Sequence, residues 1–288
     1  MEPQFNYGAK QFQTQEELFG FLFANKKQLI AQKKAIMKKA DCVSAQPHII
    51  WDKDQSSTKE AGEIPDGSLP ENIKVSVVIN TTNFLDNHGD VHIPGLWTKS
   101  LQENRMMMHL QEHEMEFDKI ISDGNNLKAY TRTYTWEELG FKYPGVTEGL
   151  TFDSTIEKKR NEFMLNQYAN GWVRNHSVGM RYVKIDMAIN NEKYPNEYAA
   201  WQKYLPQVAN AEVAEEKGYF WYVLEAMCIE GSAVPLGSNV ATPTLMVESM
   251  MTEGTNEPLE EGTQGKDEPG ETTQKSVDYN YLLTHLKK

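Results

Sequence analysis

Apolar residues three and four positions apart predict helices near the start of the chain and in its second half. Residues 14–40 repeat apolar positions at this spacing and carry their lysines toward the C-terminal half. A basic amphipathic helix can bind a membrane or a partner, but we favour packing on its own domain or on a second copy. Residues 96–104 predict a short helix, and the polar segment 196–217 predicts helix interrupted at Pro206.

A further helix is predicted from Ser154 to Ala169. Ser154 and Glu157 have the three-residue spacing of a capping box, in which each side chain bonds the backbone N–H of the other residue. Gly171 follows the last apolar position, where glycine suits the C-terminus of a helix.

Strands are predicted where β-branched and aromatic residues alternate with polar ones or form short apolar runs. Asp86, Gly89 and Asp90 predict a turn after the first strand. The predicted strands span residues 74–80, 105–113, 127–136, 173–189 and 219–229.

Composition divides the chain into four parts. A segment rich in Ser, Gly, Pro and charge is typical of a linker, and a late segment rich in Glu, Gly, Thr and Pro is typical of disorder. The predicted parts are an N-terminal helical extension at 1–50, a linker at 51–73, a main domain at 74–247, and a disordered acidic tail with a short apolar terminal segment at 248–288.

The composition excludes several classes of protein. Apolar residues make up 39% and charged residues 24% of 288 residues, which is typical of a globular protein. No apolar run is long enough for a membrane span, and the first fifteen residues lack the order of a secretory signal. Cys42 and Cys228 give neither a disulfide framework nor a zinc pattern, so we expect a reducing compartment and no metal or cofactor.

The net charge of −12 argues against a general affinity for nucleic acid, because phosphate backbones require a basic surface. Residues 248–271 hold eight acidic residues against one lysine. Much of the imbalance therefore belongs to the predicted tail.

Two histidines raise the question of a metal site. His109 and His113 are four residues apart, but their order does not match the H-E-x-x-H motif of a metalloprotease. On a strand the two side chains would lie about 13 Å apart, too far for one metal ion. Two unrelated histidines remain the simpler interpretation.

A carboxylate inside an apolar run is a second candidate. On a strand, Glu225 would share a face with Trp221 and Val223, where an ionised carboxylate needs a partner. Either Glu225 reaches solvent at a strand edge, or it orients a histidine as the acid of a triad does. Ser177, on the predicted strand 173–189, raises the parallel question of a nucleophile. No G-x-S-x-G elbow, Walker loop or G-x-G-x-x-G motif is present.

Four blocks, in order along residues 75–245, resemble the phage prohead proteases, a family related in fold to the herpesvirus assemblins. The first block is an Asp-x-x-Gly-Asp turn followed by Pro-Gly and a short helix. The others are an apolar strand ending in a histidine and an acidic residue, a strand with Ser, an aliphatic residue and Gly, and a closing strand with Leu-x-Glu. The blocks are "DNHGDVHIPGLWTKSL", "MMMHLQEHEMEFDKIIS", "HSVGMRYV" and "WYVLEAMCIEGSAVPLGSNVA".

The resemblance implies an α+β fold, with an assemblin-like compact β-barrel flanked by helices. Carried over by position, Ser177 is the catalytic nucleophile, His113 is the base, and Glu225 is the acid. Gly179 would permit a close approach of substrate or backbone. The chain departs from the family in having "VPLGSN" after the closing strand, and a long insertion at 190–217.

The implied function is that of a serine endopeptidase that cleaves capsid and scaffold proteins, and itself, during prohead maturation. Its partners would be the major capsid protein and the scaffold, with self-association possible and with no nucleic acid, membrane or cofactor. Its location would be the host cytoplasm, inside the assembling prohead.

Two alternatives stay open from the sequence. The first is a non-catalytic capsid assembly or scaffolding protein on the same fold, in which the basic helix and the acidic tail would do the work. The second is a serine hydrolase acting on a small ester, against which the missing elbow motif counts.

Overall fold

The computed structural model describes residues 5–37, 69–103 and 106–249, which contain both strands and helices. Most of the predicted linker and nearly all of the predicted acidic tail lie outside these residues. The strands of the described part are β1 (Phe5–Tyr7), β2 (Lys10–Phe12), β3 (Asn72–Thr81), β4 (Asp90–His92), β5 (Met108–Gln111), β6 (Ile120–Asp123), β7 (Leu127–Thr135), β8 (Val146–Glu157), β9 (Asn175–Ile189), β10 (Tyr219–Val234) and β11 (Thr244–Ser249). Its helices are α1 (Gln15–Ala24), α2 (Lys26–Ala35), α3 (Thr98–Glu103), α4 (Lys158–Ala169), α5 (Pro195–Tyr204) and α6 (Ala211–Lys217).

The strands of the described residues form a hairpin, β1–β2, and two larger sheets. One sheet is antiparallel, in the order β11-β3-β8-β7. The other is mixed: β10 pairs antiparallel with β9 along most of its length, and parallel with β4 near one end and β5 near the other. β6 then extends this sheet beyond β5. The strands predicted at 74–80, 127–136, 173–189 and 219–229 are confirmed, whereas that predicted at 105–113 is a strand only from Met108 to Gln111.

The two larger sheets pack on each other through apolar side chains. Ile79 and Phe152 from the antiparallel sheet lie so close to Gly231 of β10 that a Cβ there would come within 3.0 Å of both side chains. Leu18, Leu22 and Leu29, from α1 and α2, belong to the same core cluster. Burying a leucine side chain contributes roughly 1.5–3 kcal/mol, so the N-terminal helices are held to the sheets by packing.

The helix predicted over residues 14–40 is divided in two at Asn25. Thr14 caps α1, since its side chain accepts from the N–H of Glu17 (3.1 Å), and Glu17 accepts in return from the N–H of Thr14 (3.4 Å). Asn25 ends α1 by donating from its side chain to the Phe21 carbonyl (2.8 Å). The helices predicted at 96–104 and 196–217 are confirmed, the latter as α5 and α6.

The capping box predicted at Ser154 and Glu157 is wrong. Both residues belong to β8, in which Ser154 pairs with Val75 of β3, and α4 begins only at Lys158. Buried and less buried residues alternate along the last part of β8, so the strand continues past Ser154, where the sequence pattern predicts a helix. The predicted C-terminal end is confirmed, because Gly171 has φ 67° and its N–H donates to the carbonyl of Tyr168 (2.9 Å).

A buried ion pair fastens α2 to the mixed sheet. The Lys33 ammonium group is paired with the Asp90 carboxylate, which also accepts from the Tyr182 hydroxyl (2.8 Å). Asp86 shapes the predicted turn by accepting from the N–H groups of His88 and Asp90, each at 2.9 Å. The first aspartate of the Asp-x-x-Gly-Asp sequence therefore forms the turn, and the second anchors the N-terminal helix.

The structure confirms a mixed α+β fold. Within the described residues no sheet closes into a barrel, so the assemblin-like barrel stays a prediction. The described residues belong to one compact unit, in which the N-terminal helices pack with the predicted main domain. Among the described helices, none has the length and apolar character needed to cross a membrane.

Candidate active site

One face of the long antiparallel pair β9–β10 forms the centre of the candidate site. In its register Ser177 lies opposite Ser232, and Gly179 lies opposite Glu230. Cross-strand partners put their side chains on the same face of a sheet, and alternate residues of a strand return to that face. These four residues therefore share one face.

A strained turn brings His113 to this face. β5 runs parallel to β10, with Leu110 opposite Ser232, and ends at Gln111. The next two residues, Glu112 and His113, have positive φ values of 52° and 61°. Residues other than glycine rarely adopt this conformation, which costs on the order of 1 kcal/mol or more and is concentrated at functional sites.

His113 is fixed through both its backbone and its ring. Its N–H donates to Ser232 Oγ (3.1 Å), and its ring Nδ1 lies 2.6 Å from Glu230 Oε1. The Ser232 hydroxyl donates to the second carboxylate oxygen, Glu230 Oε2 (2.6 Å). Both oxygens of this fully buried carboxylate thus have a partner, as a buried charge requires.

Gly179 makes room for the carboxylate. A Cβ at residue 179 would overlap Glu230 Oε1 and would come 2.9 Å from Cε of Met37. The sequence predicts a close approach at Gly179, and the described group that approaches most closely is the carboxylate of Glu230. Any larger residue there would displace the acid from His113.

Ser177 lies beside this pair of groups. Its cross-strand partner is Ser232, and directly opposite Cβ atoms are about 5 Å apart. Ser232 in turn contacts both His113 and Glu230, so Ser177 lies one cross-strand step from the residue that holds the histidine. Ser177 is 6% exposed and His113 is 4% exposed. We call His113, Ser177, Glu230 and Ser232 the acidic cluster.

The structure does not bring Glu225, the predicted acid, to His113. Its carboxylate is paired with Lys184 (2.8 Å) and Lys99 (3.4 Å), and the hydrogen bond from Lys184 is the main cause that lowers its pKa. The β10 register shifts on both sides of Glu225, which moves its side chain away from the apolar face of Trp221 and Val223. The carboxylate that contacts the His113 ring is therefore Glu230 and not the predicted Glu225, and the predicted meeting of Ser177 with His113 stays a prediction.

Sequence reasoning missed Glu230 and Ser232. The two residues are two positions apart at the end of the run 219–229, which is the spacing that puts both side chains on one face of a strand. That spacing is the only signal of their pairing in the sequence. A further register shift, between Cys228 and Glu230, hides which face they occupy.

A second buried group of polar residues lies on the other face of β9. His176 is adjacent to Ser177 and so points to the opposite face. The Tyr168 hydroxyl lies 2.8 Å from His176 Nε2 and 3.0 Å from His109 Nε2. The remaining ring nitrogens contact the Thr242 carbonyl and the Ser154 hydroxyl, each at 3.0 Å. We call these five residues the neutral cluster.

The two histidines considered as metal ligands lie in different clusters. His109 belongs to the neutral cluster, and His113 belongs to the acidic cluster. Burial lowers the pKa of His109 well below its usual range and lowers that of His176 to about 4. The simpler interpretation, two unrelated histidines, is the one that the geometry supports.

The acidic cluster has the groups needed for nucleophilic catalysis by a serine. In the tautomer of His113 that donates from Nδ1 to Glu230, the lone pair of the ring is on Nε2. Nε2 is then the basic nitrogen, and the carboxylate can stabilise the imidazolium that forms when a proton is taken up. Ser177 supplies a hydroxyl on the same face.

Comparisons of the chain with protein-family models, with curated proteins and with solved structures found no match. The resemblance to the prohead proteases therefore depends on the four sequence blocks alone. The geometry of the acidic cluster is an independent observation, and the two together are the basis for a proposal about function.

Proposed function

We propose that this protein is a serine endopeptidase that matures phage proheads, with Ser177 as nucleophile, His113 as base and Glu230 as the orienting acid. The observation that carries the proposal is the buried pair of His113 Nδ1 and Glu230 Oε1, at 2.6 Å, on the face of Ser177. A buried imidazole paired with a carboxylate is suited to accept a proton. In the neutral cluster, by contrast, the ring nitrogens contact only neutral groups.

In the proposed reaction, Ser177 Oγ attacks the scissile carbonyl carbon while its proton passes to His113 Nε2. The imidazolium then gives that proton to the leaving amine, and the C–N bond breaks to leave an acyl-enzyme. Water, deprotonated by the same nitrogen, hydrolyses the ester and restores the Ser177 hydroxyl. Glu230 keeps the Nδ1 proton in place throughout, and Ser232 keeps Glu230 in place.

The substrates we propose are capsid and scaffold proteins, and the chain itself, inside the assembling prohead in the host cytoplasm. This part of the proposal rests on the order of the four sequence blocks. A capsid protein presents extended segments that can lie along a strand, as an endopeptidase requires.

The decisive test is covalent labelling with a fluorophosphonate, which reacts with activated serines, followed by cleavage of the co-expressed capsid protein. The wild type should be labelled at Ser177 and should shorten the capsid protein at discrete sites. Ser177→Ala should remove both signals, and His113→Ala should lower the labelling rate by about 10⁴-fold or more. Both variants should remain folded, which their thermal unfolding curves will show.

Ser76→Ala is the matched control, because the Ser76 hydroxyl bonds Asp153 on the antiparallel sheet, away from the acidic cluster. It should be labelled and should cleave like the wild type. Wild-type labelling at another serine, or capsid processing by Ser177→Ala at the wild-type rate, would overturn the protease assignment in favour of a scaffolding protein.

A further inference from the structure

A groove of about 580 Å³ opens on the mixed sheet between α3 and β10. Four methionines, Met106, Met108, Met115 and Met227, line it together with Val183. Met106, Met115 and Met227 are 82%, 53% and 47% exposed. Large apolar side chains gathered in an open groove are typical of a binding surface, and flexible methionines adapt their shape to a ligand.

The groove continues the face on which the acidic cluster lies. In the β9–β10 register Gly179 pairs with Glu230, and Arg181 pairs with Met227. Gly179 and Arg181 are alternate residues of β9 and so share a face. Their partners on β10, Glu230 and Met227, therefore lie next to each other on that same face. Met115, two residues after His113, also lines the groove.

The distance along β9 from Ser177 to the groove determines which residue of a bound peptide would reach the groove. Ser177 and Arg181 are four residues apart on β9, which corresponds to about 13 Å. An extended peptide running along this face, with its scissile bond at Ser177, would bring a side chain three or four residues away into the groove.

Charged side chains of both signs lie at the rim of the groove. Glu225 accepts ion pairs from Lys99 and Lys184, and all three side chains are held near the groove by these contacts. Glu103 of α3 also lines the groove, so these two lysines and two glutamates carry no net formal charge, and the methionine walls offer contact to apolar atoms. A charged side chain that enters between the methionines would lose part of its water, and their thioether groups offer it no ionic partner.

We infer that this groove is the specificity subsite of the proposed protease, and that it selects peptides with leucine or methionine three or four residues from the cleaved bond. The inference rests on the proposed function and adds to it the class of substrate. Met227 and Met115 are its specificity-determining residues. Glu225, first considered as a catalytic acid, belongs to the rim of this subsite.

Binding can be tested without catalysis, in full-length Ser177→Ala protein with ¹³C-labelled methionine methyl groups. The probes are two acetylated ten-residue peptide libraries, with leucine or aspartate fixed at the third position and the other positions randomised. The leucine library should shift the NMR signals of Met106, Met115 and Met227. The signal of Met246, which is 36% exposed on β11 outside the groove, should not move.

The leucine library should bind at least about tenfold more tightly than the aspartate library, and Met227→Glu should remove that preference. Met246→Glu should keep it. Equal binding of the two libraries, or a preference that survives Met227→Glu, would overturn the inference about the groove. Failure of the protease proposal would instead be seen as absent fluorophosphonate labelling of the wild type, whatever the NMR signals do.

Discussion

Two buried histidine clusters lie on opposite faces of one strand, and they differ in the charge of the groups around the ring. In the acidic cluster His113 contacts a carboxylate, whereas in the neutral cluster His109 and His176 contact hydroxyl groups and a backbone carbonyl. His176 and Ser177 are adjacent on β9, yet His176 belongs to the neutral cluster and Ser177 to the acidic cluster. Neighbours in sequence thus have different roles because a strand turns successive side chains to opposite faces.

The comparison explains why one histidine is a candidate base and the others are not. Burial alone lowers the pKa of a histidine, because the charged form loses its water. The neutral cluster has no charge to offset this loss, so the pKa of His176 falls to about 4 and that of His109 falls well below its usual range. Of the two clusters, only the acidic one places a carboxylate beside its ring, where Glu230 can hold the orientation of His113.

Among changes to the groups around the histidine rings, the largest expected effect comes from removing that carboxylate. Glu230→Gln keeps the size of the side chain, but its amide can donate to Nδ1 and so favour the wrong tautomer of His113. We expect the labelling and cleavage rates to fall by about 10³–10⁴-fold, as in other triads that lose the charge of their acid. Stopped-time labelling with the fluorophosphonate measures the change.

Glu225→Gln is the matched variant, since it makes the same change in the same strand. Its carboxylate contacts two lysines at the rim of the groove and not the histidine. We expect a loss of no more than about tenfold, which corresponds to about 1.4 kcal/mol in the activation barrier. Equal losses in the two variants would show that Glu230 has no special role.

The two glutamates also show what the sequence can and cannot predict. Both lie within the closing block of the resemblance, and Glu225 was chosen because it interrupts an apolar run. Alternation along β10 predicts the face of a residue only while the register is regular, and β10 changes register three times between Val223 and Glu230. The identity of the acid therefore depends on bulges that the residue pattern does not encode.

Strands were predicted more reliably than the ends of helices. The alternating pattern of β3, β7, β9 and β10 has a local physical cause, the two faces of a strand, and it predicted each of them. Ser154 shows the limit, because a serine three residues before a glutamate fits a helix cap and a strand equally well. Its hydroxyl instead contacts His109, a residue 45 positions away. His113 and Ser177 were found through the family resemblance, since no local pattern links them.

Tyr168→Phe should reduce stability more than activity. The hydroxyl of Tyr168 bridges His109 and His176, and its loss leaves two buried ring nitrogens without that partner. We expect the free energy of unfolding to fall by about 2–4 kcal/mol, since each buried polar group left unsatisfied costs about 1–3 kcal/mol. Urea unfolding at neutral pH measures this change, and labelling of Ser177 in the folded variant should continue.

Tyr134→Phe is the control for that variant, because the Tyr134 hydroxyl is also buried but bonds the hydroxyl of Thr151 (2.7 Å) and no histidine among the contacts of the described residues. Its loss should cost about 1 kcal/mol. If Tyr168→Phe abolished labelling while its unfolding curve stayed normal, the neutral cluster would have to take part in the chemistry.

The smallest expected effect is a loss of stability in mild acid, caused by the neutral cluster. The unfolded chain takes up a proton on each histidine near pH 6.5, whereas folded His176 does so only near pH 4. Protons therefore favour the unfolded state as the pH falls from about 6.5 to about 4, and the stability is fully present above that range. At pH 5.5 the loss from His176 should be about 1 kcal/mol, and the lowered pKa of His109 changes the stability in the same direction.

The contribution of His176 can be isolated by comparing the wild type with His176→Gln, because all other titrating groups are common to both. A glutamine can donate to the Thr242 carbonyl and accept from Tyr168, but it does not titrate. The difference between their unfolding free energies should therefore shrink by about 1 kcal/mol between pH 7.5 and pH 5.5. A constant difference over this range would mean that His176 takes up its proton equally well in the folded protein. The contrast between a neutral and an acidic histidine environment would then be lost at this residue, and with it the physical reason for preferring His113 as the base.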